Sequence, residues 1–115
     1  MSSFESKIPH KNSIVLKDIE IIREIISSDA KVKIFLEVCK NTKPNIDNWI
    51  SVYKLSKVTG LSFNSAYNFV DKMIEFGVFQ RLAPVRYIKR VRITEYGIRI
   101  LEKIKSIIPI EIELL

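Results

Sequence analysis

The spacing of apolar positions switches along the chain from helical to extended and back to helical. From Val15 to Ser27, apolar residues recur at Val15, Ile19, Ile22 and Ile26, with Ile21 and Ile25 beside them. That spacing predicts a helix with a wide apolar stripe. The stripe can be covered by the domain's own core or by a second copy of the chain, and both readings stand. Ser28 or Asp29 can cap a second helix, Ala30 to Lys40, with Val32, Phe35, Leu36 and Cys39 facing inward and Ile34 and Val38 alongside. Residues 41–48 have loop composition. Trp49 and Ile50 can form a short strand that pairs with a later hairpin.

Two short helices around a tight turn follow. Ser51 can cap a helix from Val52 to Thr59, whose inner face is Leu55 with Val58 or Thr59. Gly60-Leu61-Ser62 makes the turn. Gly60 can take the left-handed conformation that ends a helix sharply, and Ser62 can accept hydrogen bonds from the free N–H groups of the next one. That helix should run from Phe63 to about Phe76, with Ala66, Phe69, Val70 and Met73 in the core and Gly77 closing it. The pattern is a helix-turn-helix. The period then becomes extended: 78–82 and 86–93 read as two strands joined near Ala83-Pro84-Val85. In the second strand Tyr87, Lys89, Val91 and Ile93 share one face, and Ile88, Arg90 and Arg92 the other. Thr94 caps a last helix, Glu95 to Ile107, with a stripe of Ile98, Leu101, Ile104 and Ile108; Pro109 ends it. The expected organisation is a tail over 1–13, one domain over 14–108 and a tail over 109–115, in which Ile110 to Leu115 mixes apolar and acidic residues.

Composition narrows the function. The chain has 115 residues, 47% of them hydrophobic, enough for one globular domain. No apolar run approaches a membrane span, and residues 1–13 lack the apolar segment of a signal peptide, so a cytoplasmic location without membrane contact is expected. One cysteine, Cys39, allows no internal disulfide; it reads as a small buried hydrophobe. One His and one Cys do not make a His/Cys metal site, and the three glycines do not form a phosphate loop, so no cofactor and no enzymatic activity are expected.

The net charge is +6, and it is unevenly placed: residues 1–50 carry eight Lys/Arg against seven Asp/Glu, residues 51–105 eleven against four. Between Glu75 and Glu95 there is no acid, yet Arg81, Arg86, Lys89, Arg90 and Arg92 all fall there. A localised positive field suits a polyanion. Read residue by residue, each of these charges is equally a solvated surface group.

The stretch ISVYKLSKVTGLSFNSAYNFVDKMIEFGVF, the basic hairpin after it and then VRITEYGIRIL together resemble the winged helix-turn-helix of the MarR-type transcription regulators. The resemblance covers about two thirds of the chain, from Ser28 to Lys105. The Ile- and Lys-rich composition is similar to that of small archaeal and archaeal-virus regulators. It departs from the family in a short hairpin tip, Ala83-Pro84-Val85-Arg86, and in a short segment before Asp29. The expected fold class is α+β, mainly α: a winged helix-turn-helix with a small antiparallel hairpin as the wing.

The resemblance implies a regulator that binds double-stranded DNA, with a homodimer expected and helix 63–76 in the major groove. Its exposed side would offer Asn64, Ser65, Tyr67, Asn68 and Lys72. Asn amides match the adenine edge, whereas Asp71 and Glu75 further along would repel phosphate. Ser62 at the turn, Lys54 and Lys57 on the preceding helix, and Arg86, Lys89, Arg90 and Arg92 in the hairpin would hold the backbone. Two other uses of the same fold stand beside this one: a protein-interaction module and a non-specific architectural DNA-binding protein.

Overall fold

The computed structural model describes residues 16–83 and 86–107. Its elements in chain order are α1 (Leu16–Ile26), α2 (Asp29–Asn41), β1 (Ile50–Ser51), α3 (Val52–Thr59), α4 (Phe63–Glu75), β2 (Phe79–Arg81), β3 (Arg90–Ile93) and α5 (Glu95–Ile107). Val15, the tip residues Pro84 and Val85, Ile108, Pro109 and both expected tails lie outside the described residues.

Local chemistry sets the helix boundaries. The side chains of Ser28, Ser51 and Ser62 accept from the backbone N–H groups of Lys31, Lys54 and Ser65, and Thr94 Oγ1 accepts from Gly97 N. Such caps stabilise a helix by about 1 kcal/mol each. Gly60 ends α3 at φ 75°, a conformation that β-carbons disfavour. The helix-turn-helix therefore forms where the sequence places it.

The sheet has the order β1-β3-β2, with both pairings antiparallel. Ile50 lies opposite Val91, and Phe79 opposite Ile93. β1 thus comes from before the helix-turn-helix, and ties its entry to the hairpin's returning strand. Strand pairing is shorter than the extended pattern suggests: β3 begins at Arg90, not Arg86. The described residues between β2 and β3, 82–83 and 86–89, belong to the wing loop. Because the alternation breaks there, Ile88 is buried at 4% exposure instead of facing out with Arg90.

One core unites the elements. Phe35 of α2 stacks on Phe79 of β2, with centroids 6.3 Å apart, and Ile21, Ile25, Ile34, Leu55, Val70, Met73, Ile93 and Ile100 surround them. Four helix faces differ from the sequence expectation. In α1 the buried set is Asp18, Ile21, Ile22 and Ile25, while Ile26 is exposed and Ile19 half-buried. An acid completes that stripe: Asp18 accepts from Tyr96 Oη at 2.5 Å and lies 3.7 Å from Lys103 Nζ, both on α5. In α2 the fully buried residues are Ile34, Phe35 and Val38, with Val32, Leu36 and Cys39 only partly covered. The helix packs against α1, α3, α4 and β3, so its burial is spread around it. In α3, Val52, Leu55 and Ser56 are buried and Val58 is exposed, since α2 and α4 cover the opposite side.

In α5 the stripe shifts to Gly97, Ile100, Leu101 and Ile104, leaving Ile98 half-buried. Gly97 is the cause. A β-carbon there would sit 2.4 Å from Val78 O and 2.6 Å from Ile93 Cδ1, so the missing side chain lets α5 press on the root of the wing.

Candidate nucleic-acid interface

α4 is held by its apolar face and presents its N-terminal half. Ala66, Phe69, Val70 and Met73 are buried; Asn64, Ser65 and Asn68 are exposed. Ser62 Oγ caps the helix and donates to Ser65 Oγ at 3.0 Å, which orders the first turn. The Asn64 and Asn68 amides can each donate and accept, and they stand one turn apart. Asp71 is half-buried and Glu75 exposed near the far end.

Tyr67 differs from the expectation of a freely offered side chain. It is half-buried, its ring packs against Phe63 at 5.8 Å between centroids, and its hydroxyl accepts from Ile88 N at 3.1 Å. It fastens the wing loop to α4. Further tethers among the described residues hold that loop: Leu82 N donates to Arg90 O and Val52 N to Lys89 O, each at 3.0 Å, and Arg81 Nε donates to Ala83 O at 3.2 Å. Between these anchors Arg86, Tyr87 and Lys89 are exposed, with the Arg86 guanidinium 5.4 Å from the Tyr87 ring centroid.

Arg90 is also exposed. It lines, with Lys54, Ser51 and Trp49, a cleft of about 350 Å³ beside the N-terminus of α3. Lys57 is exposed and lies 5.2 Å from the ring centroid of Tyr53, itself exposed.

Arg92 makes contacts within the fold. Its Nε donates to Gln80 Oε1 at 3.1 Å, its Nη1 to Ile46 O at 2.7 Å, and its guanidinium stacks 4.4 Å from the Trp49 ring centroid. These contacts link the 42–49 loop to the sheet. Thr42 does the same from the other end: its hydroxyl donates to Val38 O and accepts from Ile93 N.

Lys72 is paired rather than free. Its Nζ lies 3.6 Å from Glu24 Oε1, and Lys31 Nζ lies 2.8 Å from Glu24 Oε2. The Lys31 hydrogen bond holds the Glu24 carboxyl below its ordinary pKa, with Lys72 adding to the effect. Lys31 and Glu24 therefore belong beside the α4 surface, although their distance along the chain hides this. Elsewhere, burial pushes the Cys39 thiol up to about 12, so this partly covered residue behaves as an inert apolar side chain. Burial and the Asp18 carboxylate likewise raise the Tyr96 hydroxyl. Among the described residues no cluster of His, Cys, Asp and Glu could hold a metal ion, and no helix is long and apolar enough to cross a membrane.

The exposed α4 tip, the tethered basic loop and the three-stranded sheet define a winged helix-turn-helix, and comparison with known structures supports this. No protein-family model matches the chain, and no curated protein matches it in sequence. Solved structures do. A mutant of MarR from E. coli, complexed with operator DNA, is similar at TM-score 0.56 and 19% identity, over 84% of this chain and 69% of that one. TubR of type III plasmid segregation is similar at TM-score 0.59 and 17% identity, over 84% of this chain and 93% of that one. The antimony-specific transcriptional repressor AntR is similar at TM-score 0.59 and 9% identity, over the whole of both chains. The fold is a MarR-like winged helix-turn-helix.

Proposed function

We propose that the chain is a sequence-specific regulator of transcription that binds double-stranded DNA, without enzymatic activity, as a homodimer. The observation that carries this reading is the Tyr67–Ile88 hydrogen bond, which fixes an acid-free basic loop beside the exposed N-terminal half of α4. In the major groove, Asn64 and Asn68 read adenine edges while Ser65 and the cap Ser62 approach the neighbouring backbone. Arg86, Lys89 and Arg90 supply the positive charge that the helix tip lacks, and Lys54 and Lys57 take phosphates on the α3 side. The MarR structure with operator DNA and the repressor AntR support a regulator by likeness of fold.

The test is a titration of duplex DNA at several salt concentrations. Arg86→Ala with Lys89→Ala should weaken binding by about 10- to 100-fold and flatten the salt slope by roughly 2, since each neutralised phosphate contributes about 0.9. Unchanged affinity at low salt would end the proposal. Selecting bound fragments from a random duplex library provides the probe for this titration. A homodimer should recover a palindrome with half-sites about one helical turn apart. Recovery without any preferred sequence would point instead to an architectural DNA-binding protein.

A further inference from the structure

Lys31 of α2 and Lys72 of α4 converge on one carboxylate of α1, Glu24. Together they line an open groove of about 330 Å³ whose other walls are Ser65, Asn68 and Phe69. Ser65 and Asn68 belong to the exposed half of α4. At about 100° per residue, Ser65 and Lys72 lie some 140–160° around the helix from Tyr67. Tyr67 faces the wing, so the groove flanks α4 on the opposite side. A helix seated in a major groove has a sugar–phosphate strand on each side. The wing meets one; this groove is placed to meet the other.

The charges here are unequal. Two ammonium groups share one carboxylate. Lys31 is held at 2.8 Å, whereas Lys72 stands at 3.6 Å with its side chain half exposed. Lys72 is the partner an incoming anion can draw away. The Glu24 carboxylate remains beside it and repels the same anion.

We propose that the groove between α1, α2 and α4 is a second phosphodiester-binding site, in which a DNA phosphate takes Lys72 from Glu24 and Glu24 restrains the affinity. This rests on α4 being the helix that enters the major groove. Glu24 then sets how tightly, and how salt-sensitively, the protein holds DNA without touching a base.

The experiment titrates a short duplex carrying the selected site against the full chain, Glu24→Gln, Lys72→Gln and the double variant, over a salt series. Glu24→Gln should tighten binding roughly three- to tenfold at low salt and steepen the salt slope by up to about 1. Lys72→Gln should weaken binding and flatten the slope. The double variant should gain less over Lys72→Gln than Glu24→Gln gains over the wild type. A damaged fold loses affinity rather than gaining it, and a general rise in net charge would tighten binding equally with or without Lys72. Should Glu24→Gln fail to fold, half-exposed Lys72 decides alone: weaker binding with a flatter slope supports the site, and unchanged binding overturns it. The site is also overturned if Glu24→Gln leaves affinity and slope unchanged, or if its gain survives undiminished in the double variant. If the wild-type chain binds no duplex at low salt, the regulator reading falls and this site with it. If the wild type binds and responds to Arg86→Ala with Lys89→Ala but to neither groove variant, only the groove assignment falls.

Discussion

The helix-turn-helix and the wing are neighbours in sequence, yet they are stabilised in opposite ways. α3, the turn and α4 are specified by their own residues: Ser51 and Ser62 cap, Gly60 turns, and an apolar stripe at helical spacing faces the core. The wing loop has no comparable local chemistry. Among the described residues, hydrogen bonds from other elements or from its own root hold it: to Tyr67, to Val52, between Leu82 and Arg90, and from Arg81 Nε to Ala83 O. α4 is therefore built into the cooperative core, while the wing loop is fastened to it. The proposed function suits that difference: a helix that reads base edges would need rigidity, whereas a loop that holds phosphates would tolerate adjustment.

The largest expected effect comes where the two regions share a foundation. Gly97→Ala would place a methyl group 2.4 Å from Val78 O, a backbone atom that cannot step aside, and 2.6 Å from Ile93 Cδ1. The replacement gains helix propensity, but the overlap should dominate and destabilise by about 1–3 kcal/mol. Urea unfolding measures it as a lower midpoint. An unchanged midpoint would mean that α5 does not press on the wing root, and that the wing is less a part of the core than its strands imply.

The same contrast explains what was legible in the sequence. The boundaries of α3 and α4, the Ser62 cap and the core set Ala66, Phe69, Val70 and Met73 follow from cues within a few residues of one another. The wing does not. The extended alternation runs on through 86–89, but β3 starts at Arg90, and Ile88 turns inward to meet a tyrosine 21 residues earlier. Arg92 reads as one more basic residue until Gln80, Ile46 and Trp49 gather around it. Lys31 is inconspicuous in the sequence for a related reason: it lies in the half of the chain where acids nearly balance bases. The α1 stripe is hidden because Asp18 counts as polar by type, although Tyr96 and Lys103 make its burial tolerable. Local signals set the elements; the site's charges are sorted by contacts that span the fold.

Ser62→Ala tests the local side of the comparison. It removes the acceptor for Ser65 N and the hydroxyl pair that orders the first turn of α4. The expected loss is about 1 kcal/mol of global stability, because α4 unfolds with the core it packs against. Urea midpoints compared with the wild type measure it. A loss confined to DNA binding, with no change in midpoint, would show that the cap matters as a phosphate contact rather than as a fold determinant.

Tyr67→Phe tests the tethered side, and its global effect should be the smallest. The ring can stay against Phe63, so the core is barely altered and the urea midpoint should move less than for Ser62→Ala. What disappears is the acceptor for Ile88 N. That buried donor is left unmatched, at a local cost of about 1–3 kcal/mol unless the loop opens to water. Opening is the easier outcome for a segment held by so few bonds. Amide exchange at Ile88 should therefore quicken by roughly 5- to 100-fold, while exchange in α4 stays as it was. In the absence of DNA this readout stands independently of any binding function. With DNA, the variant should lose affinity only a few-fold, and it should lose nothing further in the Arg86→Ala, Lys89→Ala background, because the tether acts through those side chains. If Ile88 exchange is unchanged, the wing is held by its strand pairing alone. If exchange in α4 rises in step with Ile88, the loop and the helix open as one unit, and the division between a built-in helix and a fastened loop does not hold.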